Sequence, residues 1–167
     1  RVVLLELDIR RPKVFENLNI INQKPGITNF IVNDDIMVND IIQSHETIQN
    51  LDIIAAGPIP PNPSELLMHE RMTVLMEELK SKYDVILLDS SPIGQVADGF
   101  TLAKFADASL YLVRYNYTFK EQLQVVNDIK SNNKMPNVML VLNDAKKENS
   151  QSYGYGYGYG YGYGYGY

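Results

Sequence analysis

Five short runs of mainly apolar residues, separated by longer mixed segments, set the strongest limit on the fold of this chain. The runs cover residues 2–7, 51–56, 85–88, 108–113 and 138–142. Continuous apolar character over so few residues is typical of strands that are buried in a parallel sheet. Because parallel strands need a long crossover connection, usually a helix, the alternation predicts an α/β domain with a mainly parallel sheet flanked by helices.

Helical patterns fill the segments between these runs, and the clearest one predicts a helix over residues 64–82. Asn62 can cap this helix, Pro63 suits its first position and Glu65 completes a capping box. Thr118 repeats the capping pattern and predicts a helix that extends to about residue 130. The apolar residues of the first helix recur at three- and four-residue spacing and form one buried stripe: Leu67, Met68, Leu75, Met76 and Leu79.

Composition limits the functions and compartments that are open to the chain. The net charge of -5 leaves no basic stripe to replace phosphate counterions, so we expect no nucleic-acid partner. No apolar run approaches the roughly 18 residues of a membrane span. The chain has no cysteine, which excludes disulfides and thiolate metal sites and suits the cytoplasm.

The end of the sequence has a composition of its own. From Tyr153 to Tyr167, tyrosine and glycine alternate strictly. Glycine makes ordering of the backbone costly, and no aliphatic side chain is present to build a core. We therefore divide the chain into one globular domain, residues 1–149, and a disordered Tyr/Gly tail, residues 150–167.

Acidic side chains follow two of the predicted strands, at the edge of a parallel sheet where ligands bind. Glu6 and Asp8 end the first run, and Asp89 ends the third. An Asp at a strand end often caps a turn or a helix, and this alternative stays open for each of the two sites taken alone. Asp98 belongs to neither site, and we interpret it as a helix-flanking cap. Two such sites in one sheet favour a metal site, because fixed carboxylates can hold Mg²⁺ and its water shell near phosphates.

The sequences around these acids resemble motifs of bacterial tyrosine kinases. VVLLELDIRRP, residues 2–12, resembles their Walker A′ motif, and VILLDSSP, residues 85–92, resembles their Walker B motif. GPIPPNPSELL, residues 57–67, is similar to a loop and helix start of this family, and the tyrosine-rich end is similar to its autophosphorylated tail. The resemblance extends over nearly the whole chain. It implies a P-loop NTPase core like that of the related MinD and ParA type ATPases.

The resemblance also implies roles for individual residues. Asp89 would bind Mg²⁺ directly or through water, and Asp8 would lie near the metal and the γ-phosphate, where it could orient or deprotonate a tyrosine hydroxyl. Glu6 is the third catalytic candidate and stands where the family usually has Asp. Its extra methylene shifts the position of the carboxylate. Arg10 would contact phosphate, or be solvated or salt-bridged. Asn143 would contact adenine, or only end the last strand.

The phosphate-binding sequence G-x-x-x-x-G-K-[ST] does not occur in the 167 residues. In this family that loop, called Walker A, lies upstream of Walker A′. We therefore expect that the chain starts in the middle of a domain whose N-terminal part is missing. Since the loop supplies the backbone cradle and the lysine for the phosphates, we also expect the chain alone to be catalytically incompetent.

Taken as a whole, the resemblance implies an ATP- and Mg²⁺-dependent tyrosine autokinase that regulates capsule or exopolysaccharide synthesis and export at the cytoplasmic side of the bacterial inner membrane. The implied partners are neighbouring subunits of a homo-oligomeric ring, a membrane activator or N-terminal transmembrane region of the same polypeptide, and a cognate tyrosine phosphatase. A MinD/ParA-type ATPase and a non-enzymatic module with a low-complexity tail stay open as alternatives. The implied phosphorylation sites, modified in trans, are Tyr153, Tyr155, Tyr157, Tyr159, Tyr161, Tyr163, Tyr165 and Tyr167.

Overall fold

Each of the five apolar runs forms a strand. A computed structural model describes residues 1–94 and 96–145 of the chain, so the expected tail lies outside the described residues. A short strand over residues 43–44 was not predicted, because two polar residues carry no alternation signal. The strands are β1 (Val2–Glu6), β2 (Gln43–Ser44), β3 (Leu51–Ile54), β4 (Val85–Asp89), β5 (Ser109–Arg114) and β6 (Val138–Asn143).

The strands form two sheets that are mainly parallel, as predicted. Four strands have the order β2-β3-β1-β4, in which β1 pairs in parallel with both β3 and β4, and β2 is antiparallel to β3. β5 and β6 form a separate parallel pair. In the register of β1 and β4, Glu6 is aligned with Asp89. The parallel arrangement therefore brings the acidic ends of β1 and β4 to the same edge of the sheet.

Helices connect the strands and cover the larger sheet. They are α1 (Val14–Asn17), α2 (Ile27–Val32), α3 (Val38–Ile41), α4 (Pro63–Met68), α5 (Glu70–Lys82), α6 (Asp98–Ala103) and α7 (Gln124–Ser131), the last preceded by a 3₁₀ turn over Lys120–Leu123. Among the described residues, no helix is long and apolar enough to cross a membrane.

The main core lies between one face of the larger sheet and helices α2, α3 and α5. Val3 and Leu5 of β1 point into it and are fully buried, and Phe30 of α2 packs beside them. Each apolar side chain of this size contributes about 1.5–3 kcal/mol when it is fully buried. In α5 the opposite wall is formed by three residues of the predicted stripe, Leu75, Met76 and Leu79, together with Met72.

The predicted helix over residues 64–82 is interrupted, which corrects the sequence analysis. His69 has an extended backbone, with φ -60° and ψ 146°, and it separates α4 from α5. Its ring nitrogen Nδ1 accepts a hydrogen bond from the backbone N–H of Arg71 at 3.2 Å. His69 therefore caps a new helix, and Met68, just before the break, is 57% exposed instead of buried.

Two predicted helix caps also differ from the structure. Asn62 occupies the cap position before Pro63, but its amide donates to Glu65 Oε2 at 2.6 Å and caps no backbone N–H. Thr118 does not begin a helix, because its Oγ1 accepts from the backbone N–H of Arg114 at 2.9 Å. In both cases a local side-chain contact replaces the cap, a competition that polar residues near helix ends often show.

The outer edge of β4 has no strand partner within residues 1–94 and 96–145. Val85 and Leu87 on this strand are each 46% exposed. In the separate pair, Leu110 and Leu112 of β5 are 58% and 63% exposed. Open strand edges with apolar side chains are ready templates for pairing. The unpaired edge runs along the strand that ends in Asp89.

Candidate active site

The candidate site is formed where β1 and β4 end side by side. Beyond the aligned pair of Glu6 and Asp89, the backbone N–H of Leu7 donates to the carbonyl of Asp89 at 2.7 Å. This bond extends the ladder by one residue and places Asp8 directly past the end of the sheet. The structure thus brings together the acidic residues that the sequence analysis singled out.

Asp8 is half-buried, and one of its oxygens is held by two donors. Oδ1 accepts from the hydroxyl of Ser91 at 2.6 Å and from the backbone N–H of Arg11 at 3.1 Å. Within the part of the chain that the structure describes, Oδ2 accepts no hydrogen bond. Asp8 therefore has a fixed orientation and one oxygen available to a ligand.

Asp89 has an accessible side chain at the end of β4, in a field of like charge. Partial desolvation at the strand ends raises the pKa of Asp89 above its usual range, and the negative charges of Asp8 and Glu6 raise it further. A cation bound between Asp8 and Asp89 would remove this repulsion. The electrostatics of the site therefore favour a positively charged ligand.

The donor set suits Mg²⁺ that is shared with a nucleotide. The described residues contain no group of three or more His, Cys, Asp or Glu side chains that could hold a metal ion by themselves. Mg²⁺ typically keeps several waters and binds through one or two carboxylates together with substrate phosphates. Asp8 and Asp89 could provide those two carboxylates, in which case the remaining ligands would come from phosphate oxygens and water.

Glu6 is placed differently, because both of its carboxylate oxygens are used by backbone donors. Its side chain is 3% exposed. Oε1 accepts from the N–H of Val14 at 2.6 Å, and Oε2 accepts from the N–H of Ala56 at 3.1 Å. Glu6 thus connects the end of β1 to the start of α1 and to the segment after β3. This geometry favours an anchoring role over direct contact with a metal or substrate.

We expect Glu6→Gln to destabilise the fold by about 1–3 kcal/mol, because the amide NH₂ of glutamine would face one of two backbone N–H donors. Urea unfolding of the full-length protein measures this change. Glu16→Gln is the matched control, since Glu16 is exposed and its carboxylate accepts from Lys13 at the surface. An unchanged midpoint for Glu6→Gln would show that the two bonds to Glu6 do not stabilise the fold.

Arg10 is paired with a buried carboxylate. Its Nε and one terminal nitrogen donate to the two oxygens of Asp98 at 2.6 and 3.2 Å, and the same terminal nitrogen donates to Ser64 Oγ at 2.8 Å. Asp98 is 1% exposed, and its hydrogen bond from Arg10 holds its pKa below the usual range. Asp98 is therefore more than a helix-flanking cap. Of the interpretations left open for Arg10, the salt bridge is the one that the geometry favours.

Asn143 lies at the end of β6, in the smaller sheet, and is exposed. Its Oδ1 accepts from the backbone N–H of Asp144 at 2.9 Å, which is a local turn contact. No hydrogen bond among the described residues connects Asn143 to Glu6, Asp8 or Asp89. An adenine contact for Asn143 stays a prediction.

The loop after β3 is held close to the site by contact between two glycine backbones. Gly57 has a φ of +87°, in the left-handed region that favours glycine. A Cβ placed on Gly26 would lie 2.2 Å from the nitrogen of Gly57, so only glycine fits there. A cavity of about 470 Å³ opens beside this contact and is partly lined by Glu6 and Phe15. Backbone packing therefore fixes the wall of the site next to the strand ends.

Comparisons with known proteins identify the fold. The structure matches the kinase domain of Escherichia coli tyrosine kinase ETK with a TM-score of 0.79 and 27% identity, over 94% of this chain and 60% of that chain. A plasmid partition protein from Borrelia burgdorferi matches with a TM-score of 0.61 and 17% identity, over 89% and 69% of the two chains, which shows likeness of fold alone. The predicted P-loop NTPase fold is confirmed. No protein-family model matches the chain.

A relative in sequence shows homology to a named group of enzymes. Tyrosine-protein kinase YwqD of Bacillus subtilis is 32% identical over 153 residues, which are 92% of this chain and 63% of the relative. This chain is a homologue of the bacterial tyrosine kinases. The predicted resemblance is thereby confirmed. The kinase homologue spans somewhat less than two thirds of YwqD and of the ETK kinase domain that it matches.

Three contacts in the site of this kinase homologue were not predicted from the sequence. Ser91 bonds to Asp8, and Asp98 and Ser64 bond to Arg10, across 83, 88 and 54 residues of sequence. Serine and aspartate are also the usual residues of turns and caps, so their local patterns carry no signal of such long-range contacts. Only the tertiary structure reveals them.

Proposed function

We propose that the protein is an ATP-dependent tyrosine autokinase in which Asp8 and Asp89 form the catalytic and metal-binding pair. The observation that supports this most directly is the position of the two carboxylates. They lie at the ends of neighbouring parallel strands, and each presents at least one oxygen to the same edge of the sheet. The test is incubation of the full-length protein with MgATP, followed by mass spectrometry for phosphotyrosine.

In this proposal the residues of the chain have separate tasks. Asp89 would hold Mg²⁺ directly or through its water shell. Asp8 would contact the water shell of the ion, orient the incoming tyrosine hydroxyl and accept its proton on Oδ2, the oxygen that is left free. When bound, Mg²⁺ supplies positive charge that neutralises the phosphate oxygens. Positioning and electrostatics are the main contributions that phosphoryl transfer requires from a protein. Glu6 and the pair of Arg10 with Asp98 hold the surrounding loops in place.

The phosphate-binding loop required for this reaction has no counterpart in residues 1–167. The open edge of β4 ends at Asp89 and offers unpaired backbone groups to another strand. We infer that a strand from elsewhere in the polypeptide pairs there and brings the loop to the carboxylates. On the face of β4 that carries Val85 and Leu87, side chains of the added strand would pack beside them.

We expect the 167-residue chain by itself to bind MgATP weakly or not at all, with a dissociation constant above about 1 mM. The physical reason is that the acids remain while the backbone cradle for the β- and γ-phosphates is lacking. Isothermal titration calorimetry measures this, and the full-length protein is the positive control. Micromolar binding by the chain alone would show that the loop is dispensable.

The substrate in this proposal is the Tyr/Gly tail of a neighbouring subunit in a homo-oligomeric ring. The tail residues lie outside the described residues, so the support comes from the sequence and from the relationship to tyrosine kinases. We further propose capsule or exopolysaccharide synthesis and export as the regulated process, at the cytoplasmic side of the inner membrane. A membrane activator or transmembrane region and a tyrosine phosphatase would complete the system.

A further inference from the structure

Ser91 is a buried hydroxyl directly beside the reacting groups of the proposed kinase. It lies two residues after the end of β4 and is 4% exposed. Its Oγ donates to Asp8 Oδ1 at 2.6 Å, across 83 residues of sequence. A bond this short between a hydroxyl and a carboxylate is of the stronger, charge-assisted kind. Because Ser91 itself is buried, bulk water has little access to its hydroxyl.

The bond fixes which oxygen of Asp8 is available. Oδ1 accepts two hydrogen bonds, one from the hydroxyl of Ser91 and one from the backbone N–H of Arg11. Two donors on one oxygen restrict rotation about the bond that carries the carboxylate. Oδ2 accepts no hydrogen bond within the described ranges, 1–94 and 96–145. The carboxylate is therefore prepared to act through a single, oriented oxygen.

The same hydrogen bond connects the loop that carries Asp8 to the loop that follows Asp89. Asp8 belongs to the loop after β1, whereas Ser91 belongs to the loop that follows Asp89, the last residue of β4. Arg10 makes a second contact between these two segments, because Asp98 of α6 also follows β4 in the chain. Of the two contacts, that of Ser91 is the one made directly to the Asp8 carboxylate. Its loss would leave the separation of the two carboxylates less well defined.

We propose that Ser91 is a positioning residue that orients Asp8 for the shared metal and the tyrosine hydroxyl. The inference rests on the proposed function of Asp8 and Asp89. Groups that hydrogen-bond to metal-ligating carboxylates typically change metal affinity or activity by about 10–100-fold when removed. Ser91 should therefore affect the steps that depend on Mg²⁺ and on the hydroxyl, but not the binding of nucleotide without metal.

The test compares Ser91→Ala and Ser91→Thr in the full-length protein. Ser91→Ala removes the hydroxyl, whereas Ser91→Thr keeps it and adds one methyl group. Ser81→Ala is the matched control, since Ser81 is an exposed serine of α5 whose hydroxyl donates to the carbonyl of Glu78 in its own helix. Three quantities are measured for each variant: the rate of tyrosine autophosphorylation against Mg²⁺ concentration, the affinity for ADP with and without Mg²⁺ by calorimetry, and the unfolding temperature.

For Ser91→Ala we expect kcat to fall about tenfold or more, and the Mg²⁺ concentration for half-maximal rate to rise by a similar factor. Affinity for ADP without Mg²⁺ should stay within about twofold of the wild type, and Ser91→Thr should restore most of the activity. Unchanged Mg²⁺ dependence in Ser91→Ala would overturn the proposal. Equal loss in the Ala and Thr variants, with lowered unfolding temperatures, would also overturn it, because it would indicate a packing role.

The outcomes separate this inference from the proposed function. If the wild-type protein makes no phosphotyrosine, the proposed kinase function fails. The Mg²⁺ dependence of ADP affinity still reports on Ser91 in that case, because it requires no turnover. If the wild type is active and Ser91→Ala matches it in every measurement, only the positioning role fails.

Discussion

Asp89→Asn and Asp8→Asn are each expected to reduce tyrosine autophosphorylation of the full-length protein by at least about 100-fold. Asparagine has nearly the shape of aspartate but lacks its charge, so the substitution removes attraction for Mg²⁺ while it conserves packing. Loss of one electrostatic contact to the transition state typically costs about 10²–10³ in kcat. At position 8 the substitution also removes the acceptor for the proton of the tyrosine hydroxyl.

The measurement is the initial rate of phosphate incorporation into tyrosine, with unfolding temperatures recorded in parallel. Asp35→Asn is the matched control, because Asp35 is an exposed residue between α2 and α3, away from the strand ends. Glu6→Gln should have a smaller effect on the rate than either Asp variant, since the oxygens of Glu6 are occupied by backbone donors. Full activity of Asp89→Asn would exclude this residue from the metal-binding role.

The parallel core could be predicted from the sequence because its physical signal is local. Residues 2–5 and 85–88 are apolar at every position, a pattern that is typical of strands in a parallel sheet. The break at His69 could not be predicted in this way. In the sequence the apolar stripe continues in register across it, and only the structure shows the imidazole of His69 accepting a hydrogen bond from the backbone N–H of Arg71. Periodicity cannot detect a cap that interrupts an otherwise regular pattern.

The meeting of Asp8 and Asp89 could also be predicted, because the ends of parallel strands lie at one edge of a sheet. The roles of the surrounding residues could not be predicted from the sequence. Glu6 illustrates the reason. From the sequence, its extra methylene is only a departure from the usual aspartate, but in the structure the longer side chain reaches the N–H groups of both Val14 and Ala56. Such contacts depend on loops whose positions no local pattern determines.

The tail is expected to control assembly, with modification of its eight tyrosines converting a closed oligomer into dissociated subunits. Attachment of the tail raises the local tyrosine concentration to about the millimolar range, so it needs little affinity of its own to enter the site of a neighbour. Each added phosphate contributes about -1.5 to -2 charges. Several of them would face a chain that already carries a net charge of -5, and repulsion should expel the tail.

Light scattering on the full-length protein, before and after autophosphorylation, measures this change in mass. A variant with Phe at all eight positions from Tyr153 to Tyr167 keeps the aromatic rings but accepts no phosphate, so it should stay oligomeric in the presence of MgATP. Because the repulsion is electrostatic, increasing the salt concentration should shift the modified protein back toward the oligomer. A mass that does not change on phosphorylation would contradict control of assembly by the tail. Unmodified tail tyrosines in an otherwise active enzyme would instead contradict the proposed substrate.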